Sequence, residues 1–340
     1  MRNRIRVLVV DDSPLFREVA AKLMSHDERI EIVATAGDPY EARDKLLEYK
    51  PDVMVLDIEM PKMNGITFLE KLIPQFPIPV VICSSTPINA FAAVEAGAVD
   101  YVRKPLITST EELNAFAQEL NLRVKVASTA QTVRSGNTVY KVVKQSNEQS
   151  ADKSERLIAI GGSTGATEAV SEILKDFTRN SPPAVVVVHM PESFTSIYAQ
   201  RLRQQFPELD IEEARNGMYL KNGSVTIAAG SRHMRVYKDD KGYYITSLMG
   251  EKVSGHCPSV DVMFESVANC AGENAIGVIL TGMGSDGAKG LRLIRDYGGY
   301  TVGQDKDTSV VYGMPLVAFE NGAVVRQLPL QKIGQDILSK

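Results

Sequence analysis

"LIAIGGSTGATEAV", residues 157–170, passes from an apolar run through glycines into a helical pattern. The run is strand-sized, and apolar residues at positions 166, 169, 170, 173, 174 and 177 form one face of a helix. A strand, a tight turn and a helix form the repeating unit of parallel α/β sheets. Ser163 lies in the turn. Its type and place leave three roles open: helix cap, wall of a phosphate-binding loop, or nucleophile.

Length and composition limit the class of protein. A chain of 340 residues is long enough for two domains, and 44% hydrophobic with 24% charged residues is typical of a soluble globular protein. No apolar run approaches the roughly 18 residues of a membrane span, and the N-terminal apolar run ends at two aspartates without a cleavage site. A net charge of -4 provides no general attraction to nucleic acid or anionic membranes. We therefore expect a cytoplasmic protein.

Cysteine and histidine spacing argues against a metal centre or a disulfide framework. The three cysteines lack C-x-x-C spacing, and the four histidines form no ligand motif. His256 and Cys257 are adjacent, so in an extended segment their side chains point to opposite faces. We expect free thiols in a reducing compartment.

Two α/β patterns flank a polar segment. In residues 4–122, five apolar runs alternate with helical patterns, which predicts a parallel sheet covered by helices. Residues 123–155 are rich in Ser, Thr, Gln, Asn and Lys, which predicts a linker. Residues 156–340 repeat the α/β pattern, with strands at LIAIG, AVVVVH, SVTIAAG, AIGVILTG and YTVGQD, and with a hairpin that turns at Asp239–Gly242.

Polar residues follow the predicted strands of the first half. Because the carboxyl ends of parallel strands meet at one edge of a sheet, they should converge there. Clustered carboxylates stay ionised only near a cation, and an all-oxygen site with a nearby lysine favours Mg²⁺. An aspartate in such a site can accept a phosphoryl group. The residues are Asp11, Asp12, Asp57, Ser84 and Lys104.

The first half resembles a response-regulator receiver domain, through the motifs VVDDS, DVMVLDIEMPKMNG, VVICSS and YVRKP. The resemblance implies a flavodoxin-like fold with five parallel strands. It makes Asp57 the phospho-acceptor and implies Mg²⁺ bound by Asp11, Asp12 and Asp57, with the carbonyl of Glu59 as a further ligand. It also assigns Ser84 and Tyr101 as switch residues and Lys104 as a phosphoryl contact, and it implies a cis peptide at Lys104–Pro105.

A dinucleotide-binding loop is one interpretation of the second half. Gly282, Gly284 and Gly287 form G-x-G-x-x-G, and Asp305 ends the next predicted strand about twenty residues on. Against this, the carboxylate of Asp286 lies inside the loop and would repel a pyrophosphate. The stretch GGSTGA also lacks the G-K-[ST] ending of a P-loop. A nucleotide-dependent oxidoreductase remains an alternative.

The other interpretation combines three loops. Ser163, His189 and Asp286 each follow a predicted parallel strand and should face one crevice. In that arrangement His189 takes the proton of a nucleophilic Ser163, and Asp286 holds the imidazole tautomer. Backbone N–H groups of the TGMG loop are candidate donors to an oxyanion. Each residue alone has an ordinary structural role, so the hypothesis depends on their meeting.

The second half resembles the catalytic domain of chemotaxis protein-glutamate methylesterases, the CheB family. The motifs are IAIGGSTGA, VVVVHMP, IAAGSRHM, GHCPSVDVMFES, GVILTGMGSDGAKGL and DTSVVYGMP. The resemblance assigns Ser163 as nucleophile, His189 as base and Asp286 as its partner, with Thr164 and the Met283 N–H in the pocket and oxyanion region. His233 and His256 have counterparts without an assigned chemistry. Ala166 stands where the family often has glycine, which should be harmless in a helix.

Together the two resemblances imply a doubly wound, mostly parallel catalytic domain regulated by a receiver. They imply hydrolysis of glutamate methyl esters on chemoreceptors with release of methanol, deamidation of receptor glutamines, and a chemotaxis histidine kinase as phosphodonor. They imply no cofactor for the second domain. An unphosphorylated receiver that covers the crevice would explain regulation as a population shift. A non-catalytic docking module is a further alternative.

Overall fold

The computed structural model describes residues 4–105, 109–130 and 155–340. The chain divides into two compact units, Met1–Ser135 and Gly136–Lys340. Most of the predicted linker lies outside the described residues. No helix in the described part of the chain combines the length and apolarity that a membrane span needs.

The first unit is a five-stranded parallel sheet in the order β2-β1-β3-β4-β5. Strand and helix alternate along the chain, which confirms the predicted receiver fold. Its elements are β1 (Ile5–Val10), α1 (Pro14–Met24), β2 (Ile30–Ala36), α2 (Pro39–Tyr49), β3 (Val53–Leu56), α3 (Gly65–Leu72), β4 (Val80–Ser84), α4 (Pro87–Glu95), β5 (Asp100–Arg103) and α5 (Thr110–Ala127).

Helix α5 extends past Leu122, where the first predicted domain ends. Val124 and Ala127 are fully buried in the same core as Val7 and Val55 of the sheet. The apolar positions of the helix therefore continue into the polar stretch that predicted a linker. The domain limits at 122 and 155 remain predictions.

The second unit is a seven-stranded parallel sheet with a separate antiparallel hairpin, which confirms the predicted parallel α/β domain and its hairpin and adds two strands to the five predicted. Its elements are β6 (Leu157–Gly162), α6 (Ala166–Leu174), β7 (Ala184–Val188), α7 (Glu192–Gln205), β8 (Asp210–Glu213), β9 (Ser224–Ile227), β10 (Arg232–Asp239), β11 (Gly242–Met249), α8 (Val260–Ala271), a 3₁₀ turn (Gly272–Asn274), β12 (Ala275–Ile279), α9 (Ala288–Asp296), β13 (Tyr300–Gln304), α10 (Met314–Glu320), β14 (Arg326–Leu328) and α11 (Leu330–Leu338).

The strand order in this sheet is β14-β13-β12-β6-β7-β9-β8. The central strand β6 pairs with β7 on one side and with β12 on the other, both in parallel. The later strands are thus added on both sides of β6, so the strand order reverses at this strand. The carboxyl edge at such a switch point is where open α/β sheets bind ligands. The outermost strands β8 and β14 were not predicted. Both are short and polar, and they join the sheet through backbone pairing.

Candidate active site

The turn after β6 shows whether Ser163 caps the helix that follows it. Helix α6 begins at Ala166, its N-cap is Gly165 with a left-handed φ of +80°, and no side chain caps it. The Ser163 N–H donates to the Thr281 carbonyl at 3.0 Å, which attaches the turn to the end of β12. The Ser163 hydroxyl makes no hydrogen bond among the described residues. Ser163 is therefore not a helix cap, and its hydroxyl is left available for chemistry.

Ser163 and His189 leave neighbouring strands at the same edge of the sheet. Gly162 at the end of β6 is paired with Val188 at the end of β7, and each catalytic candidate is the next residue. The His189 N–H also donates to the Gly162 carbonyl at 3.2 Å. The backbone register thus places the two residues side by side.

Asp286 comes to the same edge from the loop after β12. Its Oδ2 lies 2.8 Å from Nε2 of His189, and both side chains are buried. Three groups at the start of α8 donate to the carboxylate: the Ser259 hydroxyl at 2.8 Å, the Val260 N–H at 2.8 Å and the Asp261 N–H at 3.0 Å. Burial alone would raise the pKa of Asp286, but the hydrogen bonds from His189 and these N–H groups outweigh it and hold the pKa below its ordinary value.

The contact with Asp286 decides which nitrogen of His189 acts as the base. Because the carboxylate is ionised, it can only accept, so the proton is on Nε2 and the Nε2–H group donates a hydrogen bond to Asp286. The lone pair of the ring is therefore on Nδ1. Nδ1 is buried and has no hydrogen-bond partner in the described part of the chain. The two nitrogens are used in the opposite sense to the Ser-His-Asp proteases, in which Nδ1 faces the aspartate. Nδ1 is therefore the ring nitrogen that is able to accept a proton.

The TGMG loop passes beside Ser163. A Cβ on Gly282 would lie 2.7 Å from Cβ of Ser163, so only glycine permits this approach. The Gly282 N–H donates to the Val311 carbonyl, whereas the Met283 N–H has no acceptor among the described residues. Thr164 is buried, and its carbonyl accepts from the Thr281 hydroxyl at 3.0 Å. The loop thus leaves the Met283 N–H available as a donor in the residue that follows Gly282.

The same loop does not favour a dinucleotide. Asp286 in its middle is directed at His189, and Asp305 accepts hydrogen bonds from the N–H and hydroxyl of Thr308 at 3.0 and 2.7 Å. Neither carboxylate is arranged for a ribose. The oxidoreductase interpretation is not favoured.

The carboxylates of the first unit also converge. Oxygen atoms of Asp11, Asp12 and Asp57 lie within 4.8 Å of one another, and the Lys104 ammonium lies 2.6 Å from both Asp11 and Asp57. Burial raises the pKa of Asp57 above its ordinary value, and the ammonium of Lys104 offsets only part of this effect. Three clustered carboxylates with one ammonium beside them, two of them buried and one exposed, offer only oxygen ligands and fit a hard divalent cation such as Mg²⁺.

The remaining receiver residues lie on β4, on β5 and in the loop after β3. Ser84 and Tyr101 are buried, and burial holds the pKa of the Tyr101 phenol well above its ordinary value. The Glu59 carboxylate accepts a hydrogen bond from the Thr86 hydroxyl at 2.5 Å, and the backbone N–H of Glu59 donates one to Asp57. The expected cis peptide at Lys104–Pro105 is wrong, since the one cis bond among the described residues is Cys257–Pro258. An X–Pro bond prefers the trans isomer by only about 0.5–1 kcal/mol, so the surrounding tertiary contacts determine which isomer forms.

Comparison with known proteins identifies the families of both units. The family described as CheB methylesterase matches residues 158–337, and the response regulator receiver domain matches residues 7–118. The chain belongs to the CheB methylesterase family. It is 49% identical to protein-glutamate methylesterase/protein-glutamine glutaminase 2 of Syntrophomonas wolfei, over 98% of this chain and 96% of that protein. It is 44% identical to a Sulfurimonas denitrificans protein named protein-glutamate methylesterase/protein-glutamine glutaminase, over 98% of both chains.

A solved structure supports the second unit. The crystal structure of the Thermotoga maritima CheB methylesterase catalytic domain has a TM-score of 0.52 and 35% sequence identity, and it covers 54% of this chain and 97% of that one. Ala166, which replaces the glycine frequent in the family, is the first residue of α6 and is buried.

Sequence reasoning missed three residues of this CheB site. Ser259 is the N-cap of α8 and also donates to Asp286. A serine before an apolar run signals a cap, but nothing in the sequence links it to a residue in another loop. His233 and His256 had no derivable role. The structure places His256 against the ring of His189 and connects His233 to Ser259.

Proposed function

We propose that this chain is a phosphorylation-activated protein-glutamate methylesterase that also deamidates glutamines, with Ser163, His189 and Asp286 as catalytic residues. The observation that carries the proposal is the His189–Asp286 pair, which leaves Nδ1 of His189 without a partner on the strand end next to the one that Ser163 follows. The names of the relatives support a protein glutamate methyl ester as the substrate, and membership of the CheB family supports a chemoreceptor as the protein that carries it.

The first half-reaction is acyl transfer to Ser163. Nδ1 of His189 accepts the hydroxyl proton as Oγ attacks the ester carbonyl. The hydrogen bond from Nε2–H to the Asp286 carboxylate stabilises the imidazolium that forms. The Met283 N–H donates to the oxyanion, and Thr164 lines the pocket with it. The C–O bond to methoxide breaks, Nδ1 returns the proton to it, and methanol leaves. A glutamyl ester of Ser163 remains.

The second half-reaction is hydrolysis of that ester. Nδ1 removes a proton from water, the hydroxide attacks the acyl carbon, and Ser163 Oγ leaves and is protonated by the imidazolium. The product is a glutamate carboxylate. A glutamine side chain follows the same path with ammonia in place of methanol.

The receiver supplies the regulation. We assign Asp57 as the acceptor of a phosphoryl group from a chemotaxis histidine kinase. Asp11, Asp12, Asp57 and the Glu59 carbonyl would hold Mg²⁺, which neutralises charge on the transferred group. Lys104 contacts the phosphoryl oxygens, and Ser84 and Tyr101 respond to them. The proposed domain limits are 4–122 and 156–340, and the proposed location is the cytoplasm.

Methanol release from methylated receptor membranes tests the proposal. Wild type should release methanol faster with a small-molecule phosphodonor, Ser163→Ala should release none, and Asp57→Asn should keep basal activity without stimulation. Ser285→Ala, which removes an exposed hydroxyl from the TGMG loop, is the matched control and should behave as wild type. Unchanged activity of Ser163→Ala would overturn the proposal.

A further inference from the structure

The imidazole of His256 is stacked on that of His189. The ring centroids are 3.6 Å apart and the planes differ by 7°. His256 lies between β11 and α8, in a short antiparallel bridge in which it exchanges two backbone hydrogen bonds with Val253, both at 3.0 Å. The backbone that carries the stacked ring is therefore held by its own hydrogen bonds.

His233 holds the segment 251–259, which contains this bridge, by hydrogen bonds at its two ends. Its Nδ1 accepts the Ser259 N–H at 3.3 Å, so the proton is on Nε2, which donates to the Glu251 carbonyl at 2.7 Å. A Cβ on Gly250 would lie 2.7 Å from the His233 ring, so the segment packs closely on it. One imidazole thus ties both ends of residues 251–259 together.

Ser259 at the end of the segment donates to Asp286. The segment therefore acts on the catalytic base at two points: its end orients the carboxylate that binds Nε2, and His256 covers the ring face. The His189 side chain itself has only one hydrogen bond among the described residues, at Nε2. A single hydrogen bond leaves a ring free to tilt about the line to its acceptor.

We propose that His256 is a positioning residue for the catalytic base, whose stacked ring holds the plane of His189 in the orientation from which Nδ1 accepts the Ser163 proton. The inference rests on the proposed function. Stacking prevents the tilt that one hydrogen bond allows, and it keeps water from one face of the base. A misplacement of about 1 Å between reacting groups costs roughly 10²-fold in rate, so a small tilt is enough to matter.

The test compares His256→Ala with His256→Phe in the full-length protein, by methanol release with a phosphodonor. We expect kcat of His256→Ala to fall about 10- to 100-fold with KM nearly unchanged, because the base moves while the binding surface stays. His256→Phe keeps a flat ring of similar size and should restore kcat to within about threefold of wild type. His26→Ala, an exposed histidine in the first unit, is the matched control and should be unaffected.

A second readout reports on the ring directly. The His189 Nε2–H proton should give a hydrogen-bonded NMR resonance in wild type and in His256→Phe, and it should broaden by faster exchange in His256→Ala. Thermal unfolding of each variant shows that the fold is intact. The positioning role is overturned if His256→Ala keeps wild-type kcat, or if the folded His256→Phe is as slow as His256→Ala. Failure of the proposed function is distinct, since it would appear as an active Ser163→Ala.

Discussion

Oδ2 of Asp286 accepts two hydrogen bonds of 2.8 Å, one from Nε2 of His189 and one from the Val260 N–H at the start of α8. The acid that orients the base is thus anchored to a helix N-terminus, where the backbone dipoles stabilise negative charge. Helix α8 therefore orients His189 indirectly, by holding Asp286, although α8 itself carries none of the three catalytic candidates.

Asp286→Asn should lower kcat about 10³- to 10⁴-fold, the size of the effect in Ser-His-Asp proteases. The amide can present an N–H to His189, which favours the tautomer with its proton on Nδ1 and removes the base. Methanol release measures the loss. Asp261→Asn is the control: its carboxylate accepts from Gly290 and Ser254 rather than from His189, so activity should change little. Equal losses in both variants would contradict the assignment.

Gly282→Ala should lower kcat at least about 10²-fold. The added Cβ would lie 2.7 Å from Cβ and 2.9 Å from N of Ser163, so the nucleophile must move. Gly284→Ala is the matched control in the same loop. Its Cβ meets nothing within 4 Å, and its φ of +93° costs stability, about 1–2 kcal/mol, rather than activity. Kinetics and thermal unfolding of both variants separate the effects, and a slower Gly284→Ala would disprove this account.

Lys104→Gln should make the thermal stability of the protein depend more strongly on Mg²⁺. The ammonium lies 2.6 Å from both Asp11 and Asp57, and without it the buried carboxylates repel. We expect a lower melting temperature in chelator than wild type, and a larger rise on adding Mg²⁺, which replaces the lost charge. Lys62→Gln is the control, because Lys62 forms an exposed pair with Asp38 that solvent screens, so the melting temperature should change little. An equal Mg²⁺ response in wild type and Lys104→Gln would refute the prediction.

Asp27→Asn should destabilise the protein only above acidic pH. The hydrogen bond from the Lys125 ammonium lowers the pKa of Asp27 from 3.8 to about 2. A lowered pKa means that the pair contributes stability above pH 3.8 that is lost as the pH falls towards 2. Because the pair lies near the surface, we expect about 0.2–1 kcal/mol near neutral pH. Denaturant unfolding of wild type and variant across this range measures it. Asp44→Asn, an exposed carboxylate, is the control, and a difference that persists at the acid end would contradict the prediction.

Much of the fold followed from local patterns. The apolar runs of β6, β7 and β12 are buried along their whole length, and the sequence predicted each of them. The edge strands β8 and β14 were missed because DIEE and RQL carry no apolar alternation. Helix α5 continues to Ala127, past the predicted limit at 122, because Val124, Val126 and Ala127 pack in the core although Ser, Thr and Gln follow directly in the sequence.

The sequence by itself determined the two α/β units, the strand ends and therefore the set of candidate side chains, because periodicity and glycine turns are local properties. Only the tertiary structure decided that Ser163 is not a cap, that Nδ1 of His189 is the free nitrogen, and that His256 stacks on the base. Those outcomes depend on which distant segments pack together: His189 and Asp286 are 97 residues apart along the chain. A hydrogen-bond partner at that separation is set by packing, and no local pattern encodes it.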